Sequence, residues 1–233
     1  MPYRRLPNTD QARLRALKTA QSIGAQLPPM ELAFSQKRLF DIKAFMPQYE
    51  QAIQQYQFSR ERQGKFGKSL AEQFKLSRMY LSHFLQVVNM AIARGELKPE
   101  VRTFYGLDQN TRAIPEINTE QQLIDWGKKV ILGEEKRMSQ GGSRVFNPTL
   151  AMVKMRFEKF QENYDFHKDL LHTSRKMHDK VAIERETADE LILNIWNEVE
   201  ASFNDLEPDK KREKASAYGV VYIYRPSEKE RLE

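Results

Sequence analysis

At 233 residues the chain can bury about 70–75% of the surface its unfolded form exposes, and its 40% hydrophobic content supplies a core without covalent staples. Cysteine is absent, which excludes a disulfide framework, a thiolate nucleophile and any cysteine-based zinc or iron–sulfur site. The net charge of +6 is unevenly placed: residues 1–110 hold 17 Lys and Arg against 9 Asp and Glu, and residues 111–233 hold 21 against 23, so the first half suits either a polyanion or the acidic half of a second copy.

The opening run, Met1-Pro2-Tyr3-Arg4-Arg5-Leu6-Pro7, is basic, but no apolar stretch follows and no signal peptide is expected. Thr9 is placed to cap a first helix that stops near Gly24. From about Ser35 towards Arg62, the residues Leu39, Ile42, Met46, Tyr49, Ile53 and Tyr56 step by three and four along one helical face. Pro47 either kinks that helix or marks a restart. Gly64-Lys65-Phe66-Gly67-Lys68-Ser69 imitates the end of a phosphate-binding loop. Arg62 stands where the first glycine is needed and no strand precedes it, so a basic interhelical turn is the better reading. A third helix is expected from about Ser69 to Arg94, ended by Gly95.

In the second half, Thr119 and Gln122 form a capping box, and the helix they open should stop near Gly141-Gly142. Asn147-Pro148 reads as a cap followed by a proline at the first helical position. From Thr149 to Glu207 there is neither Gly nor Pro. Either one uncommonly long helix spans this stretch or, as the repeat below suggests, two helices break near Ile183 to Thr187, the second presenting Leu191, Ile195, Val199 and Phe203. Val220-Val221-Tyr222-Ile223-Tyr224 is β-branched and aromatic and stops at Pro226, a short-strand signature. Such a strand needs a partner edge, either Arg102 to Tyr105 or another chain.

Three landmarks recur in order. Asn8-Thr9-Asp10-Gln11 returns as Asn118-Thr119-Glu120-Gln121, Glu96-Leu97-Lys98-Pro99-Glu100 as Asp205-Leu206-Glu207-Pro208-Asp209, and Tyr105-Gly106-Leu107 as Tyr218-Gly219-Val220. Leu150, Val153, Phe157, Phe160, Tyr164 and His167 also repeat the stepping that begins at Leu39. The expected fold is therefore all-α. It is a helical bundle of two tandem, related halves, residues 1–110 and 111–233, with a short C-terminal β-like segment; the halves are packed as one domain or as two.

No complete catalytic motif is present, and no cofactor or catalytic residue is assigned. His167, His172 and His178 are spaced by five and six, which fits neither a helical zinc pair nor a di-iron signature. His167 reads as a hydrogen-bonded core or seam residue, and Trp126 and Trp196 as core or interface anchors. Leu70-Ala71-Glu72-Gln73-Phe74-Lys75-Leu76-Ser77-Arg78-Met79-Tyr80-Leu81-Ser82 resembles the helix-turn-helix of AraC-type regulators. The resemblance implies that Arg78, Ser82 and His83 face bases, with Lys68, Lys75, Arg60, Arg62 and Lys65 meeting phosphates. The segments Pro2 to Asp10 and Asn89 to Glu96 resemble a family of bacterial helical proteins without an assigned activity, which implies a bacterial, cytoplasmic protein. No stretch approaches the ~20 apolar residues of a membrane span. The leading expectation is a non-enzymatic helical interaction or scaffold protein that binds a protein partner or itself. The alternative is a DNA-binding protein using residues 70–84.

Overall fold

A computed structural model of the chain describes residues 2–224. The fold is all-α. Its α-helices are α1 (Asp10–Gln26), α2 (Gln36–Ala93), α3 (Glu120–Ser139), α4 (Leu150–Ser202) and α5 (Pro208–Ala217), with a 3₁₀ helix at Pro99–Tyr105 and two short strands, β1 (Tyr3–Arg4) and β2 (Tyr222–Ile223). The chain forms two compact units, and these cut across the sequence halves 1–110 and 111–233. The first unit comprises residues 1–59 and 174–233, the second residues 60–173. Each unit thus takes an opening helix, the beginning of one long helix, the end of the other and a short closing element.

The reason lies in α2 and α4, which do not break where turns were expected. Pro47 sits inside α2. Both it and Lys43, whose carbonyl loses a donor four residues back, lie on the exposed side, where water can serve that carbonyl. Gly64 to Ser69 is helical rather than a turn, because the buried face continues through Phe66, Leu70, Ser77, Leu81, Phe84 and Val88 at steps of three and four or their sum. Phe66 packs edge-on against Phe166 at 4.6 Å between ring centroids, and Arg62 covers the same ring. In α4 the buried series Val153, Phe157, Phe160, Leu170, Val181, Glu184, Ala188, Ile192, Ile195 and Val199 runs straight through the expected break at Ile183 to Thr187.

The caps show which local signals hold. Thr9 Oγ1 accepts from the Ala12 amide at 3.2 Å, and the Thr119–Gln122 capping box is complete. Helix α1 continues past Gly24 to Gln26 and ends at Leu27, which Pro28 forces into extended backbone. Gly24 serves close approach instead: a Cβ there would lie 2.5 Å from Leu39 Cδ1. The cap of α4 is Thr149, whose Oγ1 accepts from the Met152 amide, rather than Asn147. Gly95 and Gly141 close their helices in the left-handed region, at φ 75° and 86°.

In the first unit, Leu17, Ile42, Tyr49, Val181, Ile192 and Trp196 are central to one apolar core. Strand β2 pairs antiparallel with β1, Tyr3 opposite Ile223 and Arg4 opposite Tyr222, so its partner is the N-terminal segment and not Arg102 to Tyr105. The latter residues form the 3₁₀ helix, where Arg102 is buried and donates to the Asp108 and Ala113 carbonyls. Pro226, read as the end of the strand, lies outside the described residues. Asp10 joins α1 to α2 and α4: it accepts two hydrogen bonds from Arg185 at 2.7 and 2.8 Å and one from the Tyr49 hydroxyl at 3.2 Å.

Hydrogen bonding from Arg185 holds the Asp10 carboxyl below its ordinary value of 3.8, against the opposing effect of burial. A carboxylate whose pKa is depressed by folding adds stability that is fully present above the unfolded value and is lost as pH falls through the folded one. The urea midpoint of the first unit should therefore drop on acidification below about pH 4, with a shallower drop in Asp10→Asn. Identical pH profiles for the two proteins would remove Asp10 from that account.

The second unit has its own core, in which Leu81, Phe84, Leu85, Tyr105, Leu123, Val130 and Phe160 are almost wholly buried. Here α3 packs on the 3₁₀ helix through Gly133, where a Cβ would lie 2.1 Å from the Phe104 carbonyl oxygen. The adjacent Glu134 is buried. Its Oε2 accepts from the Tyr105 hydroxyl at 2.6 Å and from Arg137 Nε at 2.7 Å, and its Oε1 accepts from Arg137 Nη2 at 2.6 Å. Arg137 Nη2 also donates to the Ser143 carbonyl.

Candidate nucleic-acid interface

Residues 60–94 carry seven Lys and Arg against two Glu. The amphipathic pattern of α2 decides where those charges go: Leu70, Ser77, Leu81, Phe84, Leu85 and Val88 are buried in the second unit's core, so the intervening positions face outward. Lys75, Arg78, Met79, Ser82, His83 and Gln86 line one shallow concavity of about 520 Å³. Their spacing of three, one, three, one and three is what a single helical face requires. Lys68 stands two turns earlier on the same side, and is likewise exposed.

The segment 70–84 is uninterrupted helix, so the turn of a helix-turn-helix is missing. Ser77, expected at that turn, is 2% exposed on the buried face. A chain that continues helical through this point cannot set a short recognition helix at an angle to a supporting one. The structure nonetheless brings Arg78, Ser82 and His83 together beside Lys75, and adds Met79 and Gln86. Those two were legible from spacing alone, once the stretch is read as one helix.

The cations differ in how far they are engaged. Lys65 is paired with Glu61 at 2.9 Å, and Arg62 lies over the Phe166 ring at 5.6 Å. Among the described residues, Lys68, Lys75 and Arg78 form no ion pair with a carboxylate; Glu72, on the same helix, pairs with none of them. Among the described residues the face therefore presents uncompensated positive charge, three hydrogen-bonding side chains (Ser82, His83 and Gln86) and one exposed apolar group, Met79.

Comparison of the chain with family models, curated proteins and solved structures found no match.

Elsewhere most polar groups are paired, with Arg156 Nε and Arg212 Nε buried without a hydrogen-bond partner among the described residues. Glu134 accepts three hydrogen bonds, and burial pushes the Tyr105 phenol well above its ordinary range. Burial does the same to Tyr49 beside Asp10. His167 is half-buried beside Gly67, and His178 packs edge-on against Tyr56. Among the described residues no three His, Asp or Glu side chains are grouped so as to hold a metal ion. Trp196 is buried in the first unit's core, whereas Trp126 is only half-buried, with Lys129 Nζ 4.7 Å from its ring. No helix among the described residues is long and apolar enough to cross a membrane.

Proposed function

We propose that the protein is a non-enzymatic helical binding protein, bacterial and cytoplasmic, whose partner is a nucleic acid held by its phosphate backbone on the outer face of α2. The observation that carries this reading is the collection of Lys68, Lys75, Arg78, Ser82 and His83 on one exposed side of a continuous helix, with the three cations unpaired among the described residues. Arginine and lysine at such positions neutralise phosphates and release condensed counterions, and Ser82, His83 and Gln86 add hydrogen bonds. A long helix lying against a duplex touches it over a short arc, so phosphate contacts dominate and base readout is minor. On this reading DNA is bound without helix-turn-helix geometry, which a continuous α2 does not form.

Fluorescence anisotropy with short duplex DNA at several salt concentrations tests it. Three phosphate contacts give a slope of log K against log salt of about −2.7. Lys75→Ala with Arg78→Ala should flatten that slope by about two, and two duplexes of unrelated sequence should bind alike. A slope no steeper than one contact gives, or one that the double substitution leaves unchanged, refutes the proposal. Competition by polyglutamate but not by DNA would assign the same face to an acidic protein.

A further inference from the structure

The first unit contains a cavity of about 450 Å³ beside its two-stranded sheet, within the roughly 300–1,000 Å³ range of small-molecule pockets. The segment after β1, helix α1 and the strand β2 all contribute to its walls, and Trp196, 1% exposed, contributes to its floor. Leu6 and Val221 line it while remaining 41% and 48% exposed, so its apolar surface is left open to water. Both strands build this lip: the Arg5 amide donates to the Val221 carbonyl at 2.9 Å, continuing the pairing of β1 with β2.

The arginines nearby divide into two kinds. Arg4 bonds Glu200 at 2.9 Å and Arg13 bonds Asp189 at 2.7 Å. Their sequence neighbours Arg5 and Arg15 point the other way along strand and helix, line the cavity, and form no ion pair among the described residues. Among the described residues, the arginine on each element that faces acid is neutralised and the two that line the cavity are not. An apolar cavity flanked by two uncompensated guanidinium groups is complementary to a molecule with an apolar body and one anionic end.

We infer that this cavity is a binding site for a small amphipathic anion, an aliphatic carboxylate, with its chain against Trp196, Leu6 and Val221 and its charge at Arg5 and Arg15. The inference does not depend on the proposed nucleic-acid face, which belongs to the other unit.

Full-length protein carrying Trp126→Phe makes Trp196 the sole indole, and dodecanoate is the probe. Saturable change in Trp196 emission is expected, with a midpoint at least about tenfold lower than for dodecyltrimethylammonium, which has the same chain and the opposite charge. Arg5→Gln with Arg15→Gln should raise the dodecanoate midpoint about tenfold, and Arg5→Lys with Arg15→Lys should restore most of the affinity. Both arginines are exposed, so circular dichroism of the variants should match that of the parent. Equal midpoints for anion and cation, a midpoint indifferent to the glutamine substitutions, or no saturable change below the micelle-forming concentration would each overturn the assignment.

Discussion

Replacing Glu134 by alanine is expected to destabilise the second unit by about 3–5 kcal/mol, because it strands a buried arginine without its counter-charge. Glu134 and Arg137 are 1% and 3% exposed and lie one helical turn apart on α3. A guanidinium is not deprotonated in proteins, so without Glu134 the buried arginine cannot shed its proton to escape the cost of burial. Truncation would also leave the Tyr105 hydroxyl, at the end of the 3₁₀ helix, without its acceptor. The whole loss would not measure the worth of the pair, since an apolar replacement of both partners removes the stranded charge as well. Glu134→Leu with Arg137→Met should therefore recover most of the stability lost in Glu134→Ala. Hydrogen exchange across residues 120–139 reads this unit directly, as the change in the opening free energy of its most protected amides. A Glu134→Ala protein that exchanges like the parent would show that the ion pair stabilises nothing.

Gly133→Ala carries the second largest expected effect, and its sign runs against helix propensity. Alanine inside a helix is ordinarily favoured over glycine by about 0.5–1 kcal/mol. At Gly133 the new Cβ would stand 2.1 Å from the Phe104 carbonyl oxygen and 2.7 Å from its carbon. These are backbone atoms that can move only if the 3₁₀ helix moves. Overpacking of this kind costs about 1–3 kcal/mol, and the shift would also disturb the adjoining Tyr105–Glu134 hydrogen bond. The same substitution at Gly64, an exposed position of α2 with nothing within 4 Å of the added methyl, should raise stability by about 0.5–1 kcal/mol. Thermal denaturation of the two variants beside the parent provides the comparison, with the melting temperature lowered by Gly133→Ala and raised by Gly64→Ala. Shifts of the same sign would mean that α3 does not rest on the 3₁₀ helix through this glycine.

The two substitutions test one piece of architecture. Gly133 permits the approach of Phe104, and Glu134 then reaches Tyr105, so that consecutive residues of α3 fasten the closing element of the second unit. In the first unit Gly219, at φ 89° and with a Cβ position 3.2 Å from Thr19 Cβ, sets residues following α5 against α1.

Much of this is legible in the amino-acid sequence. The all-α class followed from apolar residues at steps of three and four, because that spacing places them on one side of any helix whatever surrounds it. Thr9, Thr119 and Gln122 were legible for a similar reason: a cap is satisfied by backbone groups two or three residues away. The set Lys75, Arg78, Ser82 and His83 came from the resemblance to a helix-turn-helix; one continuous helical face gathers the four without that geometry. Continuity of the long helices was not legible. Gly64, Gly67 and Pro47 are local signals for a break, each costing the helix about 1–3 kcal/mol, and only the packing of Phe66 on Phe166 and of Met46 and Tyr49 into the first unit's core shows that tertiary burial outweighs them. The pairing of β2 with β1, the burial of Glu134 against Arg137, and the gathering of Arg5 with Arg15 around one cavity were also decided by tertiary structure. The strand pairing and the two cavity arginines join segments whose separation along the chain carries no periodic trace, and the i,i+3 spacing of Glu134 and Arg137 does not by itself say that the pair is buried. Sequence by itself determined which faces are apolar and where helices begin; the folded chain decided which faces meet, and therefore where charge is cancelled and where it is left exposed.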